Sequence, residues 1–145
     1  MTEPAPLDLG SLEQATAALQ GALQVTSSPQ FKALDDTWRN TLLAGVVQHF
    51  EFTFELCWKM LKRQLERELP SPDELDALNY RDLVRLGHER GLIESVQPWF
   101  DYRELRNITS HTYARDKALR VCAGAAGLQR DAAALLRRLQ ERNRD

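Results

Sequence analysis

Between Leu43 and Leu65, apolar residues recur in steps of three or four: Leu43, Val47, Phe50, Phe54, Cys57, Leu61 and Leu65. A period near 3.6 puts them all on one face of a helix for about six turns. A strand would need a period of two, so this stretch cannot sit in a half-buried sheet. A helix this long with one apolar face must cover that face with other helices. The rest of the chain offers them.

The last stretch repeats the pattern without interruption through Ala118, Val121, Ala125, Leu128, Ala132, Leu135 and Leu139. Gly124 and Gly127 lower its helix propensity but allow a close approach by a neighbour. Arg137, Arg138 and Arg142 suit the negative end of its dipole. Near the start, Leu12, Ala15, Leu19 and Ala22 keep helical spacing, with Ser11 as the expected cap. Ser27, Ser28 and Pro29 break the chain, and Pro70 and Pro72 end the long stripe. A short helix is expected from Asn79, with Asp82 in place of the usual Glu of a capping box, and a stop at Gly91. Another is expected from near Ser95, with Pro98 in its first turn and Trp99, Phe100 and Leu105 along it. The expectation is an all-α, up-and-down helical bundle of four long helices and a short one. One domain spans residues 7–142, after a loose stretch at 1–6. Alanine-rich faces on the first and last helices suit either tight packing or a dimer surface.

Composition narrows the function classes. The 145 residues carry 19 Lys+Arg against 21 Asp+Glu, a formal net charge of -2. That balance is unlike a protein that grips long nucleic acid by overall charge, though it leaves room for a local basic site. No run approaches the ~20 apolar residues of a membrane span, so no membrane is expected. Residues 1–12 lack a positive charge and an apolar core, so no leader is expected and the cytoplasm is the default. Cys57 and Cys122 fall in apolar helical patterns and read as buried free thiols. His49, His88 and His111 are far apart, and no C-x-x-C or H-E-x-x-H occurs, so no metal and no other cofactor is expected.

One short segment carries chemistry. Arg106, Asn107, Ile108, Thr109, Ser110, His111, Thr112 and Tyr113 fall where one helix should end and the next begin. They supply a permanent cation, small polar groups, an imidazole and a phenol. An Arg followed five residues on by a His arises by chance about 0.3 times in this composition, and a Tyr two residues later lowers that to about 0.006. Cleaving RNA without a metal needs a base for the 2′-hydroxyl proton, an acid for the leaving oxygen and a cation for the charge on phosphorus. Histidine can be either acid or base near neutral pH, and arginine presents a fork that fits phosphate. Asn107 and Ser110 can orient them. Residues five apart on one continuous helix lie about 140° from each other. Either the helix ends between Arg106 and His111, or each meets its counterpart across a two-fold axis. A purely structural reading stays open: Arg106 pairs with Glu104 or Asp101, His111 caps a helix and Tyr113 joins the core.

The spacing Arg106-x4-His111-x-Tyr113 resembles the R-x4-H-x-Y signature of HEPN-domain proteins of the HepT kind. From about residue 8 to 140 the chain resembles the nucleotidyltransferase substrate-binding proteins. The run at 50–59 (FEFTFELCWK) is similar to that family's long second helix. Gly91, Leu92 and Ile93 followed by Trp99 resemble its approach to the motif. The resemblance implies a helical homodimer paired with a cognate minimal nucleotidyltransferase. In HepT-like members it implies a metal-independent ribonuclease toxin acting on RNA. There Arg106 and His111, with Asn107 positioning, are the catalytic residues. The nucleotidyltransferase, as antitoxin, transfers AMP to the motif's tyrosine, here Tyr113. The alternative it carries is a non-catalytic substrate-binding subunit; a purely structural helical dimer is the third reading. Two departures stand out. Residues 69–78 form a long acidic link, and Ala114-Arg115 follows Tyr113.

Other residues keep two readings. Glu51, Glu55 and Lys59 lie four apart, so a solvent-facing Glu55–Lys59 pair competes with cleft support by Glu51 or Lys59 beside Arg106. Trp58 and Trp99 read as packing anchors rather than stacking platforms. Trp38 has no assigned function. His49 and His88 read as solvent-facing. Lys62, Arg63 and Arg67 make a modest basic patch.

Overall fold

The computed structural model describes residues 5–109 and 115–144. Its elements, in chain order, are α1 (Gly10–Thr26), α2 (Pro29–Lys32), α3 (Asp36–Glu68), a 3-10 turn (Pro72–Ala77), α4 (Tyr80–Glu89), α5 (Val96–Thr109) and α6 (Arg115–Arg142). The fold is all-α, with no strand among the described residues. Among the described residues, no helix is long and apolar enough to cross a membrane.

The boundaries follow local chemistry. α3 starts well before the apolar stripe, because the Asp35 carboxylate accepts the Trp38 N–H at 3.0 Å and caps the helix. It stops where Leu69 turns extended (φ -94°, ψ 145°), the conformation a residue before proline prefers. The Asn79 side chain caps α4 by accepting the Asp82 N–H at 2.8 Å. Beyond α4, Gly91 takes φ +80°, the Gly91 N–H reaches the His88 carbonyl at 3.0 Å and the Leu92 N–H reaches Gly87 at 2.8 Å. That is a Schellman ending, and it tucks Leu92 into the core.

Three local details differ from expectation. Ser11 lies inside α1 and is not its cap; Leu9 holds that position without a side-chain bond, and Asp8 takes the Gly10 N–H at 2.9 Å. The Ser27–Pro29 break restarts as one helical turn, because Ser28 accepts the Phe31 N–H and Pro29 suits a first helical position. The acidic link at 69–78 folds as the 3-10 turn, pinned by buried Leu75 and by Asp76, whose carboxylate is 3.1 Å from the Lys62 amine.

The core lies where α1, α3 and α6 pack together, with α5 against α6. All seven stripe residues of α6 are buried, as are six of the seven on α3; Leu43 is half-buried at the open end. α4 and the 3-10 turn cover another side of α3. Cys57 is fully buried, but Cys122 is only half-buried, its sulfur 3.8 Å from the Leu43 carbonyl oxygen. Both thiols are free, and burial pushes both above the ordinary thiol range. The C-terminal arginines do more than face a helix dipole. Arg142 meets Glu68 at 2.8 Å and the Arg90 carbonyl at 2.5 Å, and Arg138 lies 3.7 Å from Glu94. Nearby, Asn143 accepts the Leu7 N–H and donates to Gln64, both at 2.8 Å, tying the start of the described chain to its end.

The seam between α5 and α6 fixes the helix that carries the site. A β-carbon on Gly124 would stand 2.5 Å from Leu105 Cδ1, and one on Gly127 2.9 Å from the Tyr102 hydroxyl. Both glycines thus admit a neighbour's side chain, as the sequence predicts. The Tyr102 hydroxyl goes on to donate to Asp131 Oδ2 at 2.5 Å. Burial first, and then the Asp131 contact, push its phenol well above the ordinary tyrosine range.

Candidate active site

With Tyr102 and Leu105 committed to α6, the helical period turns Arg103, Arg106 and Asn107 to a different face. That face borders a cleft of about 410 Å³ enclosed by α3, the 3-10 turn, α4 and α5. Its walls are apolar and aromatic: Phe54, Leu75, Leu78, Leu83, Tyr80 and Trp58. Its polar groups are Glu55, Lys62, Asn79, Arg103, Arg106 and Asn107.

Arg106 sits in the last turn of α5, held across the cleft mouth by α3. Its Nε donates to Glu55 Oε1 at 2.8 Å, and both side chains are about one-third exposed. The other carboxylate oxygen accepts the Trp58 indole N–H at 3.1 Å. One acid therefore braces a guanidinium and an indole at once. The resulting cation is permanently charged, partly desolvated and fixed in direction, which suits a phosphate oxygen. Beside it, the Arg103 guanidinium stacks 4.7 Å from the Tyr80 ring centroid, and the Phe54 ring packs on Tyr80 at 5.7 Å. The Tyr80 hydroxyl donates to the Trp99 carbonyl at 2.9 Å. Burial raises its phenol far above neutrality, so Tyr80 is a fixed neutral platform and not a proton carrier.

Of the residues singled out in the sequence, Arg106 and Asn107 both border the cleft. Glu51 is half-buried and Lys59 exposed, and neither lines it. The Lys59 amine lies 6.0 Å from the Trp58 ring centroid. Glu55 turns to Arg106, 51 residues away, and so meets neither reading that pairs it with Lys59 or pairs Arg106 with Glu104 or Asp101. Ser110, His111 and Tyr113 lie outside the described residues. Trp99 is a buried packing anchor, whereas half-buried Trp58 forms part of the cleft wall. His88 is exposed, with Nδ1 2.9 Å from the Ile93 carbonyl oxygen, and His49 is half-buried rather than solvent-facing.

Sequence reasoning missed Arg103, Asn79 and Tyr80 as cleft residues, and read Lys62 only as part of a surface patch. A signal existed. Arg103, Arg106 and Asn107 are at i, i+3 and i+4, and Glu55, Trp58 and Lys62 at steps of three and four. Each trio forms a polar stripe beside an apolar one. What local spacing lacks is any indication that the two stripes face each other.

Comparison with known proteins fits this architecture. The family model described as "Nucleotidyltransferase substrate binding protein like" matches residues 7–141. A Haemophilus influenzae protein named "Probable ribonuclease HepT" is 37% identical over 138 residues, 94% of either chain. A solved Haemophilus influenzae structure, described as revealing the fold of a substrate binding domain of a nucleotidyltransferase, superposes with a TM-score of 0.86. It is 35% identical, and the match covers 92% of this chain and 99% of that one. A family match over residues 7–141, with a relative 37% identical and a shared fold over nearly the whole length, places the chain in the nucleotidyltransferase substrate binding protein like family.

Proposed function

We propose that the chain is a HEPN-type, metal-independent endoribonuclease that acts as a homodimer in the cytoplasm, the toxin of a pair with a minimal nucleotidyltransferase. The observation that carries this reading is the braced Arg106 at the cleft mouth, in a chain 37% identical to a protein named as a probable ribonuclease. Arg106 binds the scissile phosphate and offsets the charge that grows on its oxygens. His111, five residues on, serves as general acid or base. In a two-fold dimer one imidazole can take the 2′-hydroxyl proton while the other protonates the departing 5′-oxygen. Asn107 positions the phosphate. Ser110 supports the same cleft. The Tyr113 phenol attacks the α-phosphorus of ATP on the nucleotidyltransferase and takes the adenylyl group with release of pyrophosphate, and the added negative charge opposes binding of an RNA phosphate.

The test is cleavage of total RNA by the purified protein in excess EDTA, with Arg106→Ala and His111→Ala beside it. Cleavage by the parent alone supports the roles given. Unchanged cleavage by both variants removes them. Co-expression with a cognate minimal nucleotidyltransferase should add one adenylyl group to Tyr113, seen by intact mass and lost in Tyr113→Phe.

A second reading, a non-catalytic subunit that presents substrate to a nucleotidyltransferase, is favoured by one observation. The solved relative is described as a substrate binding domain, and the cleft here has the volume of a small-ligand site, within the ~300–1,000 Å³ range of such pockets. A tight complex with the nucleotidyltransferase and no RNA cleavage by the free, unmodified bundle would select it.

A further inference from the structure

The cleft beside Arg106 does not end at Arg103. A second hollow of about 390 Å³ lies on its far side, between the start of α4 and the outer face of α5. The two share Asn79, Tyr80, Arg103 and Asn107, so they form one continuous groove. Along it the cations are Lys62, Arg106, Arg103 and Arg81, against the carboxylates Glu55 and Glu104. Glu55 is already turned to Arg106, and Lys62 to Asp76. Among the described residues, Arg81 and Arg103 form no ion pair.

Both of these arginines are laid over rings. The Arg81 guanidinium lies 4.6 Å from the Phe100 centroid, with Arg85 on the same ring at 5.4 Å, and Arg103 lies 4.7 Å from Tyr80. Stacking limits the rotamers each guanidinium can explore, so less freedom is lost when it meets an anion. A chain with a net charge of -2 places four cations along a surface channel that aromatic and amide side chains also line. Spaced fixed cations alternating with rings and amides match a flexible polyanion with planar bases, and a lone anion would need only one of them.

We infer that this groove is the track for a single RNA strand, on the α4 side of the scissile phosphate. Arg103 and Arg81 take successive phosphates leading away from Arg106, and half-buried Trp58 with the amides of Asn79 and Asn107 takes the bases. The inference rests on the proposed ribonuclease function for the identity of the strand, but its test is a binding measurement that does not need cleavage.

The probe is a fluorescein-labelled 2′-O-methyl oligouridylate, which lacks the free 2′-hydroxyl and cannot be cut. Its affinity is measured by anisotropy across a salt series for the parent, Arg81→Gln, Arg103→Gln and Arg137→Gln. Arg137 is an exposed cation on α6 outside the groove and controls for net charge. Arg81→Gln and Arg103→Gln should each weaken binding roughly tenfold. Each should also flatten the slope of log affinity against log salt by about 0.7, the share of one phosphate contact on a single strand. Arg137→Gln should leave both unchanged. Because Arg103 also packs on Tyr80, Arg103→Lys checks for lost folding: it should restore the salt slope. Equal losses in all three Gln variants, or none in the two groove variants, overturn the inference. So does uridine monophosphate competing as well as the oligonucleotide, which would make the groove a mononucleotide site. If the groove variants lose binding although the parent cuts no RNA, the track stands and the ribonuclease reading falls. If the parent cuts RNA with a KM that neither groove variant changes, the ribonuclease stands and the track falls.

Discussion

On the face of α5 that meets α6, Tyr102 and Leu105 reach into space left by Gly127 and Gly124, and the Phe50 ring stands edge-on to Tyr102 at 6.4 Å. On the face turned about 120° from it, Arg103, Arg106 and Asn107 border an open cleft. The first face is dry, close-packed and committed to stability. The second is wet, charged and braced to Glu55 on α3. One short helix serves both purposes because the dry face leaves it little freedom to roll, and that fixes where the guanidinium of Arg106 points. Rigidity on one side is the condition for a directed charge on the other.

The two faces should therefore respond to mutation in different currencies. The largest effect is expected for Phe50→Ala, which empties a fully buried site against the dry face. It should lower stability by about 3–5 kcal/mol, read as a shift of the urea midpoint. A loss below ~1 kcal/mol would mean that the seam is not close-packed. Arg106→Ala should do the opposite. Its ion pair is one-third exposed and is worth about 0–1 kcal/mol, so the melting temperature should barely move. RNA cleavage should fall by at least about 100-fold. A large loss of stability with cleavage intact would reverse the division of labour between the faces.

A smaller effect is expected for Tyr102→Phe, which removes the hydroxyl bond to Asp131 and should cost about 1 kcal/mol at neutral pH. The pH dependence sharpens this. Tyr102 and Tyr80 have folded pKa values raised above the ordinary value of 10.0, and Cys57 above 9.0. Each stays protonated in the folded chain while its unfolded counterpart ionises. Their contribution is complete below the unfolded values, begins to fall above about 9 for the thiol and about 10 for the phenols, and goes on falling until pH passes the raised folded values. Stability should fall along that alkaline limb, and less steeply in Tyr102→Phe. An unchanged limb in that variant would show that Tyr102 ionises as easily folded as unfolded. The smallest effect is expected for Glu55→Gln. It should change stability by less than ~1 kcal/mol and lower cleavage less than Arg106→Ala does, because the cation remains and loses only its brace. Cleavage reduced as far as in Arg106→Ala would make the direction of the guanidinium as important as its charge.

The sequence made the dry face legible. Every apolar position marked on the last helix is buried, and Gly124 and Gly127 do admit α5 side chains, because both properties follow from a local repeat. Asn79 and Gly91 bound α4 as read, since a cap needs only its own neighbours. Ser11 failed as a cap because the chain enters α1 earlier, through Leu9, whose burial decides the entry point. The wet face was legible only in part. Arg106 and Asn107 were found through their motif, while Lys59 and Glu51 were weighed for a place beside them that Glu55 occupies. Four-residue spacing puts those three on one stripe and cannot say which member reaches a partner on another helix.

Periodicity, caps and breakers act over a few residues, so the chain by itself determined that it is helical, where most of its helices stop and which faces are apolar. Glu55, which braces Arg106, lies 51 residues away from it, and the groove joins α3, α4 and α5. Those pairings depend on how far each helix rotates about its axis when the apolar stripes interlock. That rotation is set by the packed side chains of several helices together, and only the tertiary structure decided it.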